Sequence, residues 1–302
     1  MRPAELLIGP DRKLRPVWRA VIFFVLTFFA LPMVFDPLAV RLAQELHIGQ
    51  ALTAGAIAFG ELENFIVALI ATALFAWYES RRIDSYGMPL DRALGRETWE
   101  GVAAGTLVAA GVALGMYFLG GMQVRGFAMT GPALIWSALA WAGTMVIVAI
   151  SEEFWFRAYF LQTLWKSIGF WPAALVIAAI FAGIHYFFKA GENVWDVITL
   201  VWFSLLICYS VLKTGTLWFA VGLHFAFDYM QFFVIGTPNG SQIPVGRMLD
   251  ATFNGPAWLT GGVLGTEASF LMYPLLGLLT LYVWWRFPAR GDAAAPAAVV
   301  TR

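Results

Sequence analysis

The feature that most constrains this chain is a succession of long apolar runs, each about the length that crosses a lipid bilayer. A spanning helix needs about 20 mostly apolar residues. Eight such runs lie near 17–40, 53–78, 98–120, 132–156, 170–189, 195–212, 215–235 and 266–286, separated by polar or Gly/Pro-containing breaks. The expected fold class is all-α: a polytopic membrane helical bundle of about eight transmembrane helices. Composition agrees, because 60% hydrophobic and 13% charged residues make the chain too apolar for an ordinary soluble domain. The first run follows Arg12, Lys13, Arg15 and Arg19 as a secretory signal would, but it outlasts a signal's apolar stretch and more spans follow. It reads as a retained helix.

Basic residues resist translocation and collect on the cytoplasmic side. Of the 19 Lys and Arg, 15 precede the first span, lie in or beside the loops after spans two, four and six, or follow the last span. Only Arg41, Arg125, Lys189 and Arg247 belong to the alternate loops. Both termini are therefore expected in the cytoplasm. Nineteen acidic residues balance the basic ones, so charge gives no reason to expect a nucleic-acid partner. Cys208 is the single cysteine, which excludes an internal disulfide; it reads as a small buried hydrophobe. The chain divides into helices 1–3 (residues 1–130), a core of helices 4–7 (131–236), an extracytoplasmic loop with the last helix (237–288) and a disordered tail (289–302). No repeat of fixed period and no matched pair of broken helices point to a transporter.

An ionisable residue inside a span is expensive and starts as a functional hypothesis. Most of them fall between residues 150 and 230. Span four ends in Ser151-Glu152-Glu153-Phe154-Trp155-Phe156-Arg157, where i, i+4 spacing lets Glu153 pair with Arg157 while Glu152 points about 100° away and stays free. Span five carries Phe181 and His185 four residues apart, and span seven carries His224 and Asp228 at the same spacing. Glu153 and His185 are each sixteen residues from Gly169. An antiparallel hairpin turning there sets them at similar depth, although hydropathy puts them near opposite ends of their spans. The register of span seven adds the expectation of a cavity reached from the cytoplasm.

These groups suit water activation: a free Glu takes a proton from water, a His orients it, and further donors stabilise an oxyanion. The product is a cleaved amide or ester. Two His and a carboxylate with an open position would equally hold catalytic zinc, the candidate ligands being drawn from Glu152, His185, His224 and Asp228. A Gly-x-Ser-x-Gly elbow, a soluble-zincin His-Glu-x-x-His helix and a phosphate-binding Gly loop are all absent from the sequence.

Glu-Glu-x-x-x-Arg, Phe-x-x-x-His and His-x-x-x-Asp, in that order on successive apolar spans from Glu152 to Asp228, resemble the CPBP (ABI) family. It comprises the type II CAAX prenyl endopeptidases and bacterial relatives, some linked to bacteriocin processing or self-immunity. The resemblance implies an intramembrane endopeptidase acting on a membrane-associated or prenylated peptide or protein, with the lipid bilayer as its setting. A non-catalytic immunity or scaffold protein of the same fold is the alternative, followed by a transporter. The resemblance further implies that Glu152 and His185 activate the water, Glu153 with Arg157 holds the helix end, Phe181 packs beside the reacting centre, and His224 and residue 228 face the oxyanion or bind a metal. Position 228 is Asp here where the eukaryotic enzymes have Asn. An amide donates at any pH and a carboxyl only when protonated, so the zinc and metal-free readings both stand, with the metal-free one preferred.

The Ala/Gly/Arg-rich character of the chain suggests a bacterial cell membrane. Glu61, Glu63 and Asn64 interrupt span two and read as a structural feature or an exposed helix end, with a second polar cavity as the alternative. Trp18, Trp77, Trp99, Trp284 and Trp285 read as interfacial anchors. Phe154, Trp155, Phe156, Phe187 and Phe188 read as an apolar channel or as lipid-facing packing, and His47 as solvated.

Overall fold

The computed structural model describes residues 6–288; the tail expected to be disordered lies outside them. Among the described residues, eight helices are long and apolar enough to cross a membrane: α1 (Pro16–Glu45), α2 (Ala54–Glu79), α3 (Arg96–Phe118), α4 (Pro132–Ile168), α5 (Phe170–Phe188), α6 (Val194–Thr214), α7 (Trp218–Ile235) and α8 (Gly262–Arg286). The expected bundle is the observed fold. Two strands, β1 (Met122–Phe127) and β2 (Leu249–Phe253), add an antiparallel ribbon in the loops after α3 and α7, which hydropathy did not anticipate.

The largest departure from the expected boundaries is α4, which runs 37 residues to Ile168 instead of stopping near 156. Arg157, Gln162 and Lys166 break the apolar run in sequence, yet Arg157 and Gln162 are fully buried against other helices. Gly169 then turns the chain with φ of 84°, a left-handed conformation that glycine adopts without a Cβ clash. The α4–α5 hairpin therefore pivots at Gly169, and the register argument prevails over hydropathy. Within α4, Phe154–Phe160 is π-helical, as is Tyr229–Ile235 in α7. These two π segments begin immediately after the acidic residues Glu152-Glu153 and Asp228, a placement common at functional sites; a third, Leu26–Ala30 in α1, follows no acidic residue.

The seventh helix is the hub, buried along most of its length between α3, α4 and α6. Glycines bring α3 and α7 into backbone contact. A Cβ on Gly101 would lie 2.2 Å from the Phe219 carbonyl oxygen, and one on Gly105 would lie 2.2 Å from that of Leu223. This is the small-xxx-small crossing of membrane helices; it holds the helix that carries His224 and Asp228.

The connections sort to two ends. At one end Arg19 of α1 binds Glu79 of α2 at 2.6 Å, Arg286 of α8 binds Glu100 of α3 at 2.7 Å, and the Leu217 N–H donates to the Gly87 carbonyl at 2.7 Å. The five expected anchor tryptophans are all exposed here. At the other end the Val245 N–H donates to the Leu52 carbonyl at 2.9 Å, and Lys189 pairs with Glu267. His47 is exposed in a loop at this end, and Cys208 is buried, both as expected.

Candidate active site

A cavity of about 250 Å³ receives side chains from α2, α4, α5, α6, α7 and α8. It brings together Glu152, Phe181, His185, His224 and Asp228, five of the seven residues singled out from the sequence. Glu153 and Arg157 are fully buried and form the floor behind it.

Residue spacing and helix crossing build the floor together. Arg157 Nη1 lies 3.5 Å from Glu153 Oε1, the expected i, i+4 pair, and Arg157 Nη2 donates to Ser204 Oγ of α6 at 2.7 Å. The guanidinium also sits 4.7 Å over the Phe181 ring, a cation–π contact that fixes that ring in a dry setting. Phe181 in turn packs 4.6 Å from the imidazole of His185, centroid to centroid.

Glu153 does more than hold a helix end. Its Oε1 lies 2.8 Å from His224 Nδ1, a contact across 71 residues of sequence that adjacent-position reasoning does not reveal. The carboxylate accepts from Nδ1–H and so sets the ring with Nε2 toward the cavity, 3.4 Å from Asp228 Oδ2 and 3.8 Å from Glu152 Oε2. This is how a buried carboxylate fixes the tautomer and direction of an imidazole. Nε2 faces two carboxyl groups, so a proton must sit in these contacts, either on the ring or on a carboxyl.

His185 is oriented by its own helix. Its Nδ1 lies 2.9 Å from the Phe181 carbonyl oxygen; as that oxygen can only accept, Nδ1 carries the proton and Nε2 is left as a lone-pair acceptor. Glu152 is about four-fifths buried, and its Oε2 has no hydrogen-bond partner. A partly desolvated carboxylate oxygen without a donor is poised to accept a proton.

Sequence reasoning underrated three polar groups on the cavity wall. Glu61 lines the cavity opposite His224 instead of capping an exposed helix end, and its Oε2 is buried without a partner. The Ser151 hydroxyl donates to the Glu61 carbonyl oxygen at 3.1 Å and clamps α2 to α4 beside the two glutamates. The run Glu61-Leu62-Glu63 inside an apolar span was the available signal. Lys189 and Glu267 line the mouth as an ion pair, and Glu192 stands 3.6 Å from the same ammonium. Burial holds the Lys189 ammonium below the ordinary lysine range, against the pull of Asp196 and Glu192. The aromatic channel expected from Phe154, Trp155, Phe156, Phe187 and Phe188 is not formed. Phe154 and Phe156 are core residues, Phe187 and Phe188 point outward with about four-fifths of their surface exposed, and none of the five lines the cavity.

Expected cytoplasmic termini and an expected cytoplasmic mouth do not fit one structure. Cavity residues come from the first halves of α2, α6 and α8, the middle of α4, the last half of α5 and α7 from His224 onward, and they reach Leu52, Lys189 and Asn239 in the connecting loops. That end is remote from Pro16 and Arg286. The expectation relied on the start of span seven, whereas the cavity follows α7 from His224 onward through Phe227, Asp228 and Phe232.

No curated protein and no solved structure was found to match the chain. Residues 133–230, about a third of the chain and the stretch that carries every motif from Glu152 to Asp228, match the family model described as type II CAAX prenyl endopeptidase Rce1-like, a match consistent with a CPBP-family protein and with a CAAX-type intramembrane protease role in general.

Proposed function

We propose that this protein is an intramembrane endopeptidase that hydrolyses a peptide bond of a membrane-associated polypeptide with water activated by Glu152 and His185, in what is read as a bacterial cell membrane. The observation that carries this reading is the partnerless Oε2 of Glu152, facing an imidazole that is itself held by a second, fully buried glutamate. Glu152 takes a proton from water held against His185 Nε2, and the hydroxide adds to the scissile carbonyl carbon. The N–H at His224 Nε2 and the protonated form of Asp228 donate to the oxyanion. Glu152 then returns the proton to the leaving amine nitrogen as the C–N bond breaks. Glu153 and Arg157 do not touch the substrate; they position His224 and Phe181. The apolar wall of Met145, Val148, Leu200, Phe203, Phe227 and Phe232 suits an apolar peptide segment and excludes bulk water.

The donor set does not fit preformed zinc coordination. Zinc ligands stand about 2 Å from the ion, which requires donor atoms within roughly 3–4 Å of one another. Among the described residues, the one trio of His, Cys or carboxylate donors gathered within 4.8 Å is Glu192, Asp196 and Glu267 at the mouth, and not a set drawn from Glu152, His185, His224 and Asp228. We therefore propose a metal-free mechanism. The test is a peptidase assay on purified protein, with prenylated and unprenylated peptides, comparing wild type with Glu152→Gln. Cleavage by wild type and its loss in a folded variant is the expected result; equal activity in the two would refute the reading.

A further inference from the structure

We infer that the cavity opens to the extracytoplasmic side of the membrane, and that its substrate is a membrane-anchored polypeptide whose scissile bond is presented at the outer end of its apolar segment. Two independent observations meet here. The first is charge. Arg157 is buried in the bundle and drops out of the orientation count, which leaves, among the described residues, 11 Lys and Arg at the end that holds Pro16 and Arg286 and four at the other. Only the first end carries the excess of positive charge that is retained in the cytoplasm.

The second observation is where the cavity lies along each helix. Glu61 is seven residues into α2, and Asp228 is seven residues before the end of α7; at 1.5 Å per residue each is about 10 Å below the connecting loops. His185 is three residues from the end of α5, about 5 Å below the same loops. Leu52, Lys189 and Asn239 belong to those loops themselves. All of them are at the end that lacks the basic excess. A cytoplasmic chain terminus could not reach this mouth without crossing the bilayer, whereas the outer end of a membrane-embedded or exported peptide lies beside it. That such a peptide is cleaved rests on the function proposed above; the side from which the cavity is reached does not.

The native chain simplifies the test, because its single cysteine is fully buried. Gln50→Cys and Gln242→Cys, exposed in the loops at the cavity end, and Asp91→Cys, exposed in the loop between α2 and α3, are each expressed in the full chain and treated in intact spheroplasts with a membrane-impermeant maleimide. The expected result is labelling of the first two without permeabilisation, labelling of Asp91→Cys only after it, and none of wild type. Labelling of Asp91→Cys alone in sealed spheroplasts would overturn the inference. Leu52→Cys, on the cavity wall, ties side to site: external modification should abolish peptide cleavage, and retained cleavage would show that substrate does not enter there. Correct labelling without any cleavage by wild type would defeat the proposed function while leaving the orientation established.

Discussion

The floor and the rim of the cavity use the same residue types in opposite ways. On the floor Glu153, Arg157 and Ser204 are fully buried, and Glu153 Oε1, both terminal nitrogens of Arg157 and Ser204 Oγ are engaged with one another and with His224, which leaves Glu153 Oε2 and Arg157 Nε without partners. On the rim Glu152 and Asp228 are about one-sixth to one-fifth exposed, and the buried Oε2 atoms of Glu61 and Glu152 have no partner. A buried ion pair contributes little net stability over an apolar replacement, but removal of one member leaves a charge stranded. A rim carboxylate without a donor costs stability from the start. The floor is thus a device for geometry, and the rim holds the groups that are free to react.

The sharpest way to break this contrast is to substitute the two adjacent glutamates. Glu152→Gln should lower turnover by about 10²–10⁴-fold, the usual contribution of a general base, while its melting temperature in detergent stays near that of wild type. A matching loss of folding would erase the distinction between rim and floor. Glu153→Gln should instead cost roughly 3–5 kcal/mol of stability, read from denaturant or thermal unfolding, together with the activity that depends on an oriented His224. Adding Arg157→Met to Glu153→Gln removes both charges and should recover most of the stability without the activity. A double variant as unstable as the single one would show that the floor is held by packing and not by charge.

Asp228→Asn is the milder probe. In the metal-free mechanism the amide supplies the donor that the carboxyl offers only when protonated, so peptide cleavage should persist and a chelator should leave it intact. Stoichiometric zinc in active protein together with loss of activity in this variant would overturn the mechanism. The smallest effect is expected at the exposed Arg82–Asp84 pair, 2.7 Å apart in the loop after α2. The Arg82 guanidinium holds the Asp84 carboxyl below its ordinary range. Because the folded-state value is depressed, the pair's stabilisation is present above the unfolded value of about 4 and fades as pH falls through the folded one. Asp84→Asn should therefore cost about 0–1 kcal/mol at neutral pH, with the difference from wild type vanishing in acid unfolding scans.

Much of the bundle was legible because hydropathy and charge are local quantities. Seven of the eight spans were delimited within a few residues. The exception, the end of α4, was hidden because Arg157 and Gln162 look like the end of a membrane run until their burial against neighbouring helices is known. The motif residues were legible as ionisable groups out of place, and the count from Gly169 set Glu153 and His185 at one depth. Glu61 carried the same signal but was discounted, since only the α2–α4 packing shows that it faces the cavity and not the outside.

What the amino-acid sequence determined by itself was the number of spans, the unequal distribution of basic residues between alternate loops, and the i, i+4 pairs that share a helix face. Each depends on residues close in the chain or on sums over it. Tertiary structure alone decided that Glu153 serves His224 as well as Arg157, that the glycines of α3 bring the α7 backbone into contact, and that the cavity lies at the end opposite the basic loops. These are contacts between helices far apart in sequence, and the crossing and rotation of packed helices follow from side-chain fit between two surfaces, which no local pattern specifies.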